Sequence, residues 1–164
     1  MTEIRRPRSP MDFEALALFT ADHAAVENNK VYVNGGFWDT LSLHDYPAQA
    51  AMSLVAVIKV PSRAYLQDHQ VLVEMVNPDE QRLPLRIEGN IRVGPTPHMN
   101  PGEPATLSLA FPLNGVYLER PGDYWFVLSV DGVEIARYRI RAVHAVPMPP
   151  LPFDAPDGDD AEEE

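Results

Sequence analysis

The chain has 164 residues, no cysteine and a formal net charge of −11. This length suits one domain with tails, and the lack of cysteine excludes disulfides, thiolate metal sites and cysteine nucleophiles. Residues 143–164 contain seven acidic residues and no lysine or arginine, so −7 of the −11 lies there and −4 remains for the other residues. We therefore expect neither nucleic acid nor membrane as a partner.

Three segments differ in composition. We predict a flexible N-terminal arm at residues 1–12, a β domain at 13–143, and a disordered tail at 144–164 that is proline-rich and then acidic. No apolar stretch follows the first arginines, and no run is long enough to span a bilayer, so we expect a cytoplasmic protein.

The first half of the domain shows strand patterns separated by turn signals. In chain order, the predicted strands are Glu14–Thr20, Lys30–Val33 after an Asn28-Asn29 turn, Trp38–Leu43 after Gly35-Gly36, and Ala51–Val60 as a central strand.

The second half continues in the same way. Val71, Val73 and Met75 alternate with their neighbours in strand His69–Val76, and Pro84 marks Leu83–Val93 as an edge strand. Thr106–Phe111 precedes a predicted Asn114-Gly115 turn, and a hairpin within Pro121–Val143 closes the domain.

These patterns predict an all-β fold of about eight strands, an antiparallel β-sandwich of the immunoglobulin-like or C2-like kind. A barrel is the alternative arrangement of the same strands.

The register of the closing hairpin follows from its side chains. A two-residue Asp131-Gly132 turn with regular pairing would put Phe126 opposite Arg137, burying guanidinium groups among aromatic rings. A three-residue loop ending at Gly132 puts Phe126 opposite Ala136 and Trp125 opposite Arg137. Since a one-residue slip inverts the faces of a strand, we predict the longer loop.

This register predicts an outer face with a candidate binding function. Tryptophan and arginine are favoured anchors of protein interfaces, although a solvated strand face explains the same pattern. The candidate residues are Trp125, Val127, Ile135, Arg137, Arg139 and Arg141.

The tail offers a second candidate site. Pro147, Pro149, Pro150 and Pro152 form two overlapping PxxP patterns that fit an aromatic groove on a partner, or belong to a solvated extension. The acidic block could instead fold back onto the arginines of the outer face.

Chemical motifs give no catalytic residues and no metal site. Asp22-His23, His44-Asp45 and Asp68-His69 are adjacent pairs, and neighbours on a strand point to opposite faces. Phosphate-binding loops, nucleophile elbows and zinc-protease motifs are missing from the sequence. We expect no cofactor and no enzyme activity.

The segment TADHAAVENNKVYVNGGFWDTL (Thr20–Leu41) resembles the N-terminal signature of a family of uncharacterised bacterial proteins, D-x-x-x-x-x-N-x-K…G-G-x-W-D. The resemblance continues through residues 46–61 and 69–81, where Asn77 to Gln81 replaces the family's Asp-Gly turn. It implies a β-sandwich without an assigned activity. Gly35 and Gly36 fall in its clearest motif, where we expect them to shape a hairpin or bulge.

We therefore predict a non-catalytic module that works through a protein partner or self-association. The alternative is a small-ligand or carbohydrate-binding domain that uses Trp38 or Trp125 as a stacking platform.

Overall fold

The structure, a computed structural model, describes residues 2–4 and 12–146. It contains ten strands and one short 3-10 turn at Ser62–Ala64. The strands are β1 (Thr2–Ile4), β2 (Glu14–Glu27), β3 (Lys30–Trp38), β4 (Thr40–Leu43), β5 (Ala48–Val60), β6 (His69–Val76), β7 (Arg82–Ile91), β8 (Ala105–Leu118), β9 (Gly122–Val130) and β10 (Val133–His144).

The strands form two sheets that pack face to face. One sheet has the order β1-β10-β9-β6-β7, with β4 pairing parallel to β10, and the other has the order β3-β2-β5-β8. All the other pairs are antiparallel. The predicted antiparallel β-sandwich is confirmed, and the closed barrel is not the arrangement found.

Eight of the strands have eight or more residues. Of the two short ones, β4 lies within the predicted strand Trp38–Leu43, and β1 was not predicted. Thr2–Ile4 falls inside the predicted arm, yet it pairs with β10. The proline motif at Pro147, Pro149, Pro150 and Pro152 lies outside the described residues, as does the acidic block. No helix in the part of the chain that the structure describes is long and apolar enough to cross a membrane.

The core lies between the sheets and follows the predicted alternation. Val71, Val73 and Met75 of β6 are buried, as the pattern of that strand indicates. β5 is central, between β2 and β8, and Met52–Ala56 are five consecutive buried residues. Successive strand residues point to opposite faces, so this part of β5 is covered on both sides.

Two predicted turns are wrong. Gly35-Gly36 lies inside β3, and Asn114-Gly115 lies inside β8. In both strands the pairing with the neighbour shifts by one residue nearby, so these glycines accompany β-bulges. Pro84, in contrast, lies on β7, which is an edge strand as predicted.

The closing hairpin has a shorter turn than predicted. Asp131 and Gly132 both have positive φ, at 49° and 75°, as a two-residue type I′ turn requires, and Val130 pairs with Val133. The predicted three-residue loop is therefore wrong.

A bulge in β10 nevertheless gives the predicted faces. The register shifts between Glu134 and Ala136, so Ala136 pairs with Leu128, and Trp125 lies opposite Arg139 instead of Arg137. The bulge supplies the one-residue shift that the longer loop was expected to supply. The largest buried side chains on the core side of this hairpin are those of Tyr124, Phe126, Leu128, Tyr138 and Ile140.

Candidate functional site

The arginines of the predicted outer face already have carboxylate partners. The pairs, with their nitrogen–oxygen distances, are Arg137–Glu134 at 2.8 Å, Arg139–Asp39 at 3.8 Å and Arg141–Asp123 at 2.8 Å. The hydrogen bond from Arg141 lowers the pKa of Asp123, although partial burial opposes the shift. Because the cationic charge is locally compensated, an acidic partner would gain little electrostatic attraction at this face.

The apolar residues predicted beside these arginines are not exposed. Val127 and Ile135 are only 8% and 5% exposed, so their assignment to an accessible surface is wrong. Trp125 is half-buried between Val76 on β6 and Arg139 on β10. The outer face is thus a layer of paired charges over packed side chains.

Trp38 also differs from the sequence-based hypothesis of a stacking platform. Its side chain is half-buried and packs against the core. Its backbone oxygen accepts hydrogen bonds from the Tyr138 hydroxyl, at 2.7 Å, and from the Thr20 hydroxyl. Its indole Nε1 is buried and has no hydrogen-bond partner within the described residues. These contacts make Trp38 part of the junction between the two sheets.

A histidine–carboxylate pair links two elements that are far apart in the chain. His69 Nδ1 lies 2.6 Å from Asp131 Oδ2, and His69 Nε2 lies 2.9 Å from the carbonyl oxygen of Ala64. The backbone N–H of Gln70 donates to Asp131 Oδ1 at 2.9 Å, so the carboxylate also fixes the start of β6. The ring of Phe13 packs edge-on against the imidazole.

The two hydrogen-bond partners of the His69 ring are both acceptor oxygens. Both ring nitrogens must therefore donate, which favours the imidazolium form. Partial burial acts to lower the pKa of His69, but the hydrogen bonds to Asp131 and Ala64 outweigh it, and the pKa is raised above 6.5. Burial likewise opposes the shift at Asp131, whose pKa is lowered by the hydrogen bonds from His69 and Gln70.

Although a histidine beside an aspartate can serve acid–base catalysis, this imidazole has no nitrogen free for a substrate. We therefore assign the pair a structural role. Within residues 2–4 and 12–146, no group of three or more histidine, aspartate or glutamate side chains is placed to hold a metal ion.

The β2–β3 hairpin carries the most exposed aromatic ring of the described surface. Phe37 is 74% exposed and has φ of 66°, which is rare for a bulky residue. Thr20 pairs with Trp38 and Ala21 with Gly36, so Phe37 is the extra residue of a bulge. Its ring stacks on Phe19, with centroids 3.9 Å apart and planes at 13°. One face of the Phe37 ring thus packs on Phe19, and the other face is exposed to solvent.

The two glycines before Phe37 leave room for this arrangement. Gly35 has φ of 60°, and a Cβ atom there would lie 2.1 Å from Oδ2 of Asp22. A Cβ atom on Gly36 would lie 2.6 Å from Cγ1 of Val33 and 3.5 Å from the ring of Phe19. Val33 and Phe19 therefore close over Gly36, and together with Phe37 they form one apolar cluster. Of the hairpin or bulge expected at Gly35 and Gly36, the structure has the bulge.

Six consecutive residues of the hairpin, from Tyr32 to Phe37, are exposed, and Val26 on the neighbouring strand is partly exposed as well. We call this area the hairpin surface, with Tyr32, Val33 and Phe37 as its main apolar side chains. None of these three residues was among the binding residues predicted from the sequence. A strand pattern beside two glycines was the available signal, and it does not show which strand will lie at an edge.

Comparison with known proteins gives the family of the chain but no activity. Residues 16–143 match the family of unknown function DUF6941, so the chain belongs to that family. No curated protein matches the sequence.

Proposed function

We propose that this protein is a non-catalytic β-sandwich module that acts through protein–protein contact at the hairpin surface. The observation that carries the proposal is Phe37, an exposed ring held in a strained backbone conformation and backed by Phe19. Strained residues persist where the surrounding structure fixes them, and they cluster at functional positions.

The energetics also favour a contact site. Exposed aromatic rings that are already ordered lose little conformational entropy on binding, and aromatic anchors dominate protein interfaces. The arginine-rich outer face, in comparison, has compensated charges and buried aliphatic residues. The proposed contact therefore moves from Trp125 and its neighbours to the β2–β3 hairpin.

Two matched variants test the proposal. Phe37→Asn removes the ring, and Leu66→Asn removes another exposed apolar side chain, 62% exposed, at a similar φ of 61°. Asparagine tolerates this backbone region, so both variants should fold. Proteins that co-purify with the full chain are identified, reconstituted with it, and measured by calorimetry.

We expect Phe37→Asn to weaken binding by roughly tenfold or more, as for an interface hot spot, and Leu66→Asn to change it little. A partner that binds both variants as tightly as the wild type would contradict the proposal.

A second candidate, a carbohydrate-binding domain, is favoured by the same ring, since a flat and fixed aromatic face can stack on a sugar. A rise in melting temperature on adding simple sugars, lost in Phe37→Asn, would support this candidate, because a ligand that binds the native state stabilises it.

A further inference from the structure

We propose that the partner of the hairpin surface is a second copy of this chain, which pairs antiparallel with the free edge of β3 about a two-fold axis at Val33. This inference rests on the proposed function, because it names a partner for the same surface.

The backbone of β3 determines which groups are free to pair. Asn28 and Asn29 form a two-residue turn with positive φ at both positions, and Glu27 pairs with Lys30. The pair that closes such a turn is hydrogen-bonded, and the bonded pairs then alternate along the hairpin. The N–H and C=O groups of residues 31 and 33 consequently point away from β2.

The other sheet edges carry features that block pairing. On β8, the side-chain amide of Asn29 takes the place of a neighbouring strand, donating to Thr106 O at 2.7 Å and accepting from Ser108 N at 2.8 Å. On β7, Pro84 and several charged side chains protect the edge. The remaining edge strands, β1 and β4, which both pair with β10, have only three and four residues, and very short edge strands offer little to pair with.

Within the described residues, the edge of β3 from Val31 to Asn34 carries no such feature, and the bulge at Gly35–Phe37 ends this regular part. The strand sequence KVYVNGGFW contains no proline and a single charged residue, Lys30, at the end next to the turn. Natural sheets protect exposed edges with prolines, charges or covering segments. A short, exposed and apolar edge of this kind favours a strand that is covered in the functional assembly.

Symmetric pairing at Val33 suits the side chains of this strand. Val33 meets its own copy on the axis, and Tyr32 lies beside Asn34 of the second copy. Lys30 then lies next to the bulge of the second copy, which carries the exposed Phe37 ring. An ammonium group over an aromatic ring is a favourable contact. The two Lys30 residues stand about 20 Å apart, six residues of strand, so their charges do not oppose each other.

The area of the contact indicates a reversible dimer. A buried Phe or Tyr side chain covers about 150–250 Å², and Phe37 and Tyr32 are 74% and 55% exposed. With Val33 and the backbone, the two copies together bury on the order of 800 Å², less than the roughly 1,200 Å² of stable specific interfaces and in the range of weak, transient contacts. The association should therefore depend on protein concentration.

The experiment is analytical ultracentrifugation of the full chain from low micromolar to near-millimolar concentration. Val33→Lys places two ammonium groups against each other on the axis, and Val133→Lys makes the same change at an exposed valine in the β9–β10 hairpin. We expect a monomer–dimer equilibrium, with a dissociation constant raised about tenfold or more by Val33→Lys and unchanged by Val133→Lys.

Lysine crosslinking tests the register separately. The chain contains two lysines, Lys30 and Lys59, and Lys59 pairs with Glu14 at 2.9 Å. An amine-reactive linker that spans about 20 Å should join Lys30 to Lys30 of the second copy, and Lys30→Arg should abolish this crosslink without abolishing the dimer.

A monomer at every concentration, or a dimer equally sensitive to both valine variants, would overturn the second copy as partner. If Phe37→Asn still prevents capture of a different protein in that case, the proposed function stands. If neither self-association nor capture of another protein depends on the hairpin surface, the proposed function and the proposed dimer are both contradicted.

Discussion

Replacing Asp131 with asparagine should weaken the protein in a pH-dependent way. Asparagine keeps an oxygen for the N–H of Gln70 and tolerates the φ of 49° in the turn. It removes the charge that faces His69, whose Nδ1 lies 2.6 Å from the carboxylate. A hydrogen bond between charged groups contributes about 1.5–3 kcal/mol. The Asp131 side chain is 47% exposed, so solvent screening reduces the expected loss to about 1 kcal/mol.

The directions of the pKa shifts at His69 and Asp131 define the pH range in which the pair stabilises the fold. The pKa of His69 is raised above 6.5, so its contribution is complete below that pH and is lost as the pH rises through the folded-state pKa. The pKa of Asp131 is lowered below 3.8, so its contribution is complete above that pH and is lost as the pH falls through the folded-state pKa. The pair is therefore strongest between these two ordinary values.

The assay is urea unfolding of the wild type and Asp131→Asn at about pH 5.5 and about pH 9. We expect the variant to lose about 1 kcal/mol, or about 2–4 °C in melting temperature, at the lower pH, and much less at the higher pH. His98→Asn, at an exposed histidine, serves as the control. An equal loss at both pH values would refute the assignment of an imidazolium–carboxylate pair.

Two further predictions concern glycine and asparagine in turns and bulges. Gly35→Ala should cost about 1 kcal/mol more than Gly102→Ala, because both residues have positive φ but only the Cβ at position 35 would meet Asp22; equal unfolding midpoints in urea would contradict the clash. Asn29→Gly keeps the left-handed turn and removes the two amide hydrogen bonds to β8. We expect a loss of about 1–2 kcal/mol in urea unfolding, and an unchanged midpoint would show that the amide does not hold the hairpin on β8.

The side-chain alternation predicted much of the sandwich because it is a local property. Val71, Val73 and Met75 share a face since a strand repeats every two residues, whatever its neighbours are. The same rule placed Tyr124 and Phe126 in the core and the arginines of β10 on the opposite face.

Local rules could not show whether the closing hairpin has a longer loop or a short turn followed by a bulge. A three-residue loop and a two-residue turn followed by a bulge both shift the pairing by one residue, so both satisfy the alternation. The bulge lies between Glu134 and Ala136, and it changes the partner of Trp125 from Arg137 to Arg139.

The candidate sites depend even more on tertiary structure. On the outer face, the ion pairs Arg139–Asp39 and Arg141–Asp123 join residues from separate elements of the chain. His69 finds its carboxylate 62 positions away, and not in the neighbouring Asp68.

By itself, the sequence determined the fold class and the alternating faces of its strands, because these follow from the two-residue period of a strand. Only the tertiary structure decided which arginines are neutralised, which histidine pairs with a carboxylate and which strands lie at the sheet edges. Phe37 is exposed because β3 ends its sheet, and the position of a strand in a sheet is set by contacts between distant segments.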